Sequence, residues 1–250
     1  MKKFIVISGV SLFLLAISFN PLFNYIREYI ISDQINQRYE IKHAEKEYNP
    51  INVQEITVAH KNIKIREEKT GRKADMTPWD EEEKAPPGVI VKVQFLLNDQ
   101  KISTPDEIWL SNRDRGSRYF SWIDILTVKD RKTGEEQVSI VQRLTDDSQP
   151  METRKWKIIT IAQNGDVDEE VLSYAQRSNN HLGVKLIEFS GTSLIGMGYY
   201  SDVTKAYPSI FFPLLFPFLT GIAGLLLLIF LVVLLLFELH LRRVIRKRGR

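Results

Sequence analysis

Two clusters of acidic residues have the composition of a cation-binding site. Residues 80–83 are four consecutive acids beside Trp79, and residues 164–170 read Asn-Gly-Asp-Val-Asp-Glu-Glu. Carboxylate oxygens are the ligands that Ca²⁺ prefers, but neither segment has the ligand spacing of a calcium loop. The first cluster is therefore interpreted as a solvated segment that charge repulsion extends. The second is interpreted as a helix start, because the unpaired amides of a helix N-terminus favour acids.

Three arginines lie close together in a segment rich in Gly, Ser and Asn. They are Arg113, Arg115 and Arg118. Guanidinium groups match the oxygens of phosphate and carboxylate, so these residues are a candidate contact for a phosphate or an anionic wall polymer. The alternative is a solvated loop next to aromatic residues that enter the core. The sequence favours this alternative.

The sequence contains no recognisable catalytic motif. The segment 191–196, Gly-Thr-Ser-Leu-Ile-Gly, is misspaced for the G-x-S-x-G turn that presents a nucleophilic serine. Only His60 and His181 are assigned to the folded region, whereas His43 falls in a flanking helix. Without a cysteine, two histidines do not complete a typical zinc site. We predict no catalytic residue, no metal ion and no cofactor, although carboxylates from distant segments stay open as an acid–base pair.

The composition narrows the classes of protein further. The chain has 250 residues and no cysteine, which excludes a disulfide framework and a thiolate nucleophile. Its formal net charge of +3 comes from its two basic ends, so the central region is slightly acidic. A nucleic-acid-binding domain needs a basic face, so we predict that this chain binds no nucleic acid.

Two uncharged stretches predict membrane helices at the two ends of the chain. The first, residues 4–26, follows Lys2 and Lys3, and we assign residues 1–26 to an N-terminal transmembrane anchor. The second lies within residues 208–238, where the apolar run is about 36 Å long at about 1.5 Å per residue. That length crosses a hydrocarbon core of about 30 Å.

The first stretch has a second interpretation. Ala16-Ile-Ser18 fits the small-x-small pattern of a signal-peptidase site, so residues 1–18 would be removed. The apolar character continues beyond Ser18 to Ile26, which favours a retained anchor with a kink at Pro21. Both interpretations place the central region outside the cytoplasm.

Basic residues predict the orientation of the chain in the membrane. The tail, residues 239–250, has six Lys/Arg and no acid, which is typical of a cytoplasmic segment. With the anchor retained, this is a two-pass protein of the cell membrane with both termini cytoplasmic; after cleavage it is single-pass. We also predict that the tail contacts an anionic leaflet through Arg242, Arg243, Arg246, Lys247 and Arg248.

Thr220 and Gly224 form a small-xxx-small pair within the second apolar stretch. Such a pair lets two helix backbones approach closely. We therefore predict a membrane-protein partner, or self-association, through this helix. The lipid bilayer is the other predicted partner.

The folded domain is assigned to residues 49–205. Residues 27–48 have few helix breakers and are predicted to continue the anchor as a juxtamembrane helix. This helix is predicted to end at Asn49-Pro50, because the residue before a proline avoids the helical conformation. Apolar and polar residues alternate from Val89 to Leu97, which predicts a strand with one buried face.

Further turn and capping signals complete the predicted fold. A polar, glycine-containing turn at residues 129–135 predicts a β-hairpin between two apolar segments. Asp166 and Glu169 form a capping box that predicts a single helix, followed by a strand at residues 184–189. The sequence thus predicts an α+β domain of mostly antiparallel strands, as a sheet or a sandwich, flanked by N- and C-terminal transmembrane helices.

These observations favour a membrane-anchored envelope protein with a non-catalytic extracytoplasmic domain. The domain would serve as an interaction, scaffold or sensory accessory module, since the basic tail is too short for an output domain. The cysteine-free composition rich in Ile and Lys favours a bacterial envelope. The alternative is a membrane-bound envelope hydrolase that uses a carboxylate pair on wall or lipid substrates.

Overall fold

The chain forms two compact units. Residues Met1–Ile30 and Tyr200–Arg250 make the first unit, and Ile31–Tyr199 make the second. The computed structural model describes residues 2–44, 54–74, 87–110, 118–119, 121–145, 150, 153–173, 179–192, 198–199 and 212–248.

The first unit contains two long apolar helices. Helix α1 (Lys2–Arg38) begins in this unit and ends in the second unit, and helix α3 (Phe212–Arg248) lies wholly in the first unit. Within them, Phe4–Arg38 and Leu215–Arg243 are long and apolar enough to cross a membrane, by length and composition. Each helix contains an internal proline, which is Pro21 in α1 and Pro217 in α3. The two predicted apolar helices at the ends of the chain are thus present.

The second unit is built on two antiparallel sheets. The first sheet has the order β1-β7-β8-β9-β10, and the second has the order β2-β3-β4-β5, with β6 also paired to β4. The strands of the first sheet are β1 (Tyr39–His43), β7 (Ile123–Asp130), β8 (Glu136–Arg143), β9 (Lys155–Ile161) and β10 (Val167–Ser173). Those of the second are β2 (Glu55–Val58), β3 (Lys61–Lys73), β4 (Val89–Leu97), β5 (Gln100–Lys101) and β6 (Asp106–Leu110).

One apolar core joins the inner faces of the two sheets. Val91, Val93 and Phe95 of β4 are buried in the same cluster as Ile125 and Ile140 of the first sheet. Their alternation with exposed Lys92 confirms the predicted faces of this strand. The predicted α+β fold with mostly antiparallel strands is confirmed, and its sheets pack face to face as a sandwich.

A second core covers the outer face of the first sheet. Helix α2 (His181–Phe189) buries Val184, Leu186 and Ile187 against this face. Ile35, in the last turns of α1, belongs to the same cluster. The first sheet is therefore apolar on both faces, whereas the second sheet contributes only its inner face to the two described cores.

The segment predicted as a helix after Asp166 is a strand. Residues Val167–Ser173 form β10 and pair with β9 over their whole length. The turn before it is tight, with Gly165 at a φ of +92° and the Ala162 amide donating to the Asp166 carbonyl at 2.8 Å. A hairpin turn therefore overrides the capping signal, since Val167 and Val171 suit a strand as well as a helix stripe.

The segment predicted as a strand after Gly183 is a helix. Asn180 caps α2, because its side-chain oxygen accepts from the Gly183 amide at 2.7 Å. Gly183 thus lies in the first turn of the helix. A larger residue at position 183 would clash with the capping side chain, because its Cβ would lie 2.9 Å from the side chain of Asn180. Asn180 therefore starts a helix in the segment where a strand was predicted.

The juxtamembrane helix predicted for residues 27–48 ends earlier than expected. Helix α1 stops at Arg38, and β1 follows at once and pairs with β7 from Tyr39 to His43. Tyr39 and Ile41 pack against the second core, and this tertiary contact decides the conformation. The end predicted at Asn49-Pro50 lies outside the described residues. His43 consequently belongs to the sheet and not to a helical stalk.

Candidate functional site

Several residues singled out from the sequence lie outside the described residues. They include the acids at 80–83, Arg113, Arg115 and residues 193–196 of the glycine-containing segment. Three clusters of charged groups lie in the sandwich, and serine and threonine hydroxyls form a polar seam between the two helices of the first unit.

The first cluster joins Arg118 and Tyr119 to Glu67 of β3. The Arg118 guanidinium donates to the Glu67 carboxylate from Nε at 2.6 Å and from a terminal nitrogen at 2.5 Å. The Tyr119 hydroxyl, on a fully buried residue, donates to the same carboxylate. Arg118 was a candidate contact for an external anion, with a solvated loop as the favoured alternative. In the structure its two-pronged contact is made to a carboxylate of its own chain.

The protonation of this cluster is fixed by its surroundings. Burial raises the pKa of Glu67, but hydrogen bonds from Arg118 and Tyr119 outweigh it and hold that pKa below its usual range. Burial, and then the nearby Glu67 carboxylate, raise the pKa of Tyr119. At neutral pH the cluster therefore consists of an ionised Glu67, a protonated Tyr119 and a charged Arg118.

The second cluster surrounds Lys157 of β9, whose side chain is 2% exposed. Its ammonium donates to the Thr104 carbonyl at 3.0 Å, to the Thr104 hydroxyl at 2.6 Å and to Asp106 of β6. Glu169 of β10 lies 3.3 Å away and accepts from the Thr104 amide and hydroxyl. Burial raises the pKa of Glu169, but the Thr104 hydrogen bonds and Lys157 lower it overall. This cluster links the two sheets.

Both clusters lie at one level of the sandwich. In the second sheet, Glu67 and Asp106 are the cross-strand neighbours of Val93, so all three side chains share the inner face. In the first sheet, Gln142 is the cross-strand neighbour of Lys157. Gln142 is fully buried, and its amide has no hydrogen-bond partner among the described residues. A polar layer therefore crosses the otherwise apolar sandwich core.

The third cluster is formed by His43 and Asp124. The His43 Nδ1 atom lies 2.9 Å from the Asp124 carboxylate, which also accepts from the Gly191 amide at 2.9 Å. The Phe189 ring stacks on His43 with centroids 4.7 Å apart. The hydroxyls of Ser190 and Thr192 lie 2.6 Å apart and are buried. Sequence reasoning missed this pair because His43 was assigned to a helix.

The two histidines assigned to the domain do not come together. His60 lies in the turn between β2 and β3 with a φ of 61°. His181 begins α2, and its Nδ1 lies 2.7 Å from the Tyr199 hydroxyl. No group of three or more His, Cys, Asp or Glu within the described ranges could hold a metal ion.

A groove of about 620 Å³ lies at the end of the first sheet where the β7–β8 hairpin turns. The Arg38 guanidinium, on its rim, donates to Asp130 at 2.8 and 2.9 Å. The other polar lining residues include Glu135 and Glu136, which are exposed. Leu182 of α2 also lines the groove, and none of its lining residues is a histidine.

A polar seam joins the helices of the first unit. The hydroxyl oxygens of Ser18 and Thr220 lie 2.6 Å apart, and the Ser11 hydroxyl donates to the Gly224 carbonyl at 2.8 Å. A Cβ at Gly224 would lie 2.9 Å from Leu15, so the helices are in close contact there. As residue numbers rise along α1 they fall along α3, so the helices are antiparallel. Thr220 and Gly224 thus face a helix of the same chain.

The basic tail continues α3 as a helix to Arg248. Arg242 donates to Glu238 at 2.7 Å, an i,i+4 pair on an exposed helix surface. Arg243 is exposed as well, while the side chains of Arg246, Lys247 and Arg248 lie outside the described residues. An exposed pair of this kind contributes little to stability.

Acidification is expected to destabilise the sandwich. Glu67 and Glu169 have lowered pKa values in the folded protein, so the unfolded chain binds more protons as the pH falls. Their stabilisation is present above about pH 4.3, the usual value for glutamate, and is lost as the pH falls through the folded values. Urea unfolding between pH 3 and 7, followed by tryptophan fluorescence, measures this, because all four tryptophans lie between residues 79 and 156.

Two glutamine variants assign the effect to the cluster. Glu67→Gln is expected to lower stability at pH 7 and to flatten its fall below pH 4.3. Glu68→Gln, at the exposed neighbouring position, should keep the parent curve. Equal curves for Glu67→Gln and the parent would contradict the assignment.

No protein-family model, curated protein or solved structure matches this chain, so the functional interpretation starts from its own residues.

Proposed function

We propose that this chain is a membrane-anchored envelope protein whose sandwich is a non-catalytic interaction, scaffold or sensory accessory domain outside the cytoplasm. The observation that carries the proposal is the use of the charged groups on the inner faces of the two sheets. Glu67, Asp106 and Lys157 each bond to partners within the sandwich. Carboxylates engaged in this way stabilise the sandwich and are poorly placed to transfer protons to a substrate.

The membrane placement rests on the helices at the ends. Two antiparallel apolar helices return the chain to the side on which it started. The basic residues from Arg242 onwards favour the cytoplasmic side for that end, which puts Ile31–Tyr199 outside in a two-pass protein. The lipid bilayer is one partner in this proposal, and a membrane protein is the other.

An impermeant amine-reactive cross-linker applied to intact cells tests this proposal. The exposed lysines Lys92, Lys129 and Lys155 should react, whereas Lys247 should react only after permeabilisation. A partner cross-linked through the domain lysines should be lost when the sandwich is unfolded by mutation. Labelling of Lys247 in intact cells with Lys92 spared would contradict the orientation. Oriented labelling without any cross-linked protein would contradict the interaction role.

The second candidate function is an envelope hydrolase acting on wall or lipid substrates. The sequence suggested a carboxylate pair for this role, but the observation that favours it is the His43–Asp124 contact. A histidine held by a carboxylate through Nδ1 has the orientation of a general base. Hydrolysis of an ester or glycan that is lost in His43→Ala and kept in His181→Ala would support this function over the interaction role.

A further inference from the structure

The apolar helices of the first unit raise the question of whether the N-terminal segment stays in the mature protein. Ala16-Ile-Ser18 has the pattern of a signal-peptidase site. In the structure, Ser18 is 1% exposed and lies in the middle of α1, which continues without a break to Arg38. The candidate cleavage site is thus both helical and covered.

Ser18 is covered by α3. Its hydroxyl oxygen lies 2.6 Å from that of Thr220, and it also donates to the Leu14 carbonyl at 2.7 Å. Seven residues earlier, on the same side of α1, Ser11 is fully buried and donates to the Gly224 carbonyl. Hydroxyl groups and small residues are what bring helices together in a bilayer, where apolar surfaces give no preference for protein over lipid.

Glycines on α3 make the approach possible. An added Cβ at Gly221 would lie 3.0 Å from Leu22, and one at Gly224 would lie 2.9 Å from Leu15. Gly9 differs, because nothing lies within 4 Å of the position its Cβ would take. The close contact between α1 and α3 is therefore centred on residues 11–18 of α1 and residues 220–224 of α3, and we call this contact the seam.

We propose that the N-terminal segment is a retained anchor, and that its pairing with α3 through the seam keeps the bond after Ser18 from signal peptidase. Peptidases bind the residues before the cleaved bond in extended form, and the seam opposes the local unwinding that this requires. The seam also occupies the small-residue face of α3 with a helix of the same chain. This inference rests on the membrane placement proposed above and is independent of the interaction role.

Cysteine cross-linking tests the seam in the full-length protein, which has no cysteine of its own. The Ser18→Cys/Thr220→Cys protein, oxidised in membranes, should form an internal disulfide, because the two side chains already touch. Protease cleavage of the sandwich should then leave two fragments that separate only after reduction. The control is Phe19→Cys/Ile222→Cys, at two exposed positions, which should give less than a tenth of this link.

Intact mass of the C-terminally tagged protein tests retention in a bacterium that has signal peptidase. The parent and Gly9→Leu should keep residues 1–18. Gly224→Leu should lose the internal link in the cysteine-pair background, and a fraction at least five times that of Gly9→Leu should begin at Phe19. A parent that begins at Phe19, an absent internal link, or equal processing of the two leucine variants would each overturn the proposal. Lysine labelling reports the orientation separately, so a wrong orientation and a wrong seam are distinguishable.

Discussion

Replacing Lys157 with methionine is expected to lower the free energy of unfolding by about 3–5 kcal/mol. The methionine fills a similar volume but leaves Asp106 and Glu169 without the cation that both contact. Thr104 would also lose two hydrogen bonds from the ammonium. Breaking a buried ion pair from one side costs more than removing the whole pair, because an uncompensated charge remains.

Urea unfolding of the full-length protein in detergent, followed by tryptophan fluorescence, gives the measurement. Lys155→Met is the matched control, since Lys155 is exposed on the same strand, and its change should stay within about 0.5 kcal/mol. Combining Lys157→Met with Asp106→Leu and Glu169→Leu should recover a large part of the loss. A Lys157→Met protein as stable as the parent would show that the cluster does not hold the sheets together.

Val93→Asp is expected to prevent the sandwich from folding at neutral pH. Val93 is fully buried, and an unpaired carboxylate there costs several kcal/mol, a large part of a typical stability of about 5–15 kcal/mol. Its cross-strand neighbours on the inner face are Glu67 and Asp106, so the new charge would also lie between two carboxylates. Repulsion therefore adds to the cost of burial.

The adjacent position supplies the control. Lys92 is exposed between Glu68 and Glu107, so a neutral Lys92→Thr change tests the outer face without placing three acids side by side. Lys92→Thr should melt within a few degrees of the parent, and Val93→Asp should show no cooperative transition. The opposite result would mean that the faces of β4 are reversed.

The strand β4 was predictable from its alternating pattern, and the β7–β8 hairpin was predictable from its polar, glycine-containing turn. The alternation from Val89 to Leu97 requires only that one side meets a core. The region from Asp166 to Phe189 was not predictable, since helix and strand are exchanged there. Val167 and Val171 satisfy both periods, and the outcome depends on pairing with β9, a contact that local sequence does not contain.

The contacts of the candidate-site residues were also not predictable from the sequence around each residue. Lys157 lies in β9, and a lysine in a strand ordinarily points to solvent. Its burial depends on Asp106, which is 51 residues away in the other sheet. His43 was placed in a helix because residues 27–48 have few helix breakers. Its contact with Asp124 arises only because β1 pairs with β7.

The order of strands in the first sheet also sets a sequence of folding events. The second sheet is made from a continuous stretch, Glu55 to Leu110, and can form from neighbouring strands as they become available. In contrast, pairing Tyr39 with Asp130 closes a loop that contains that entire sheet. Strand β1 is synthesised before the other strands of its sheet, so it cannot pair until β7 has been made. The pairing of β1 with β7 also brings Asp124 to His43.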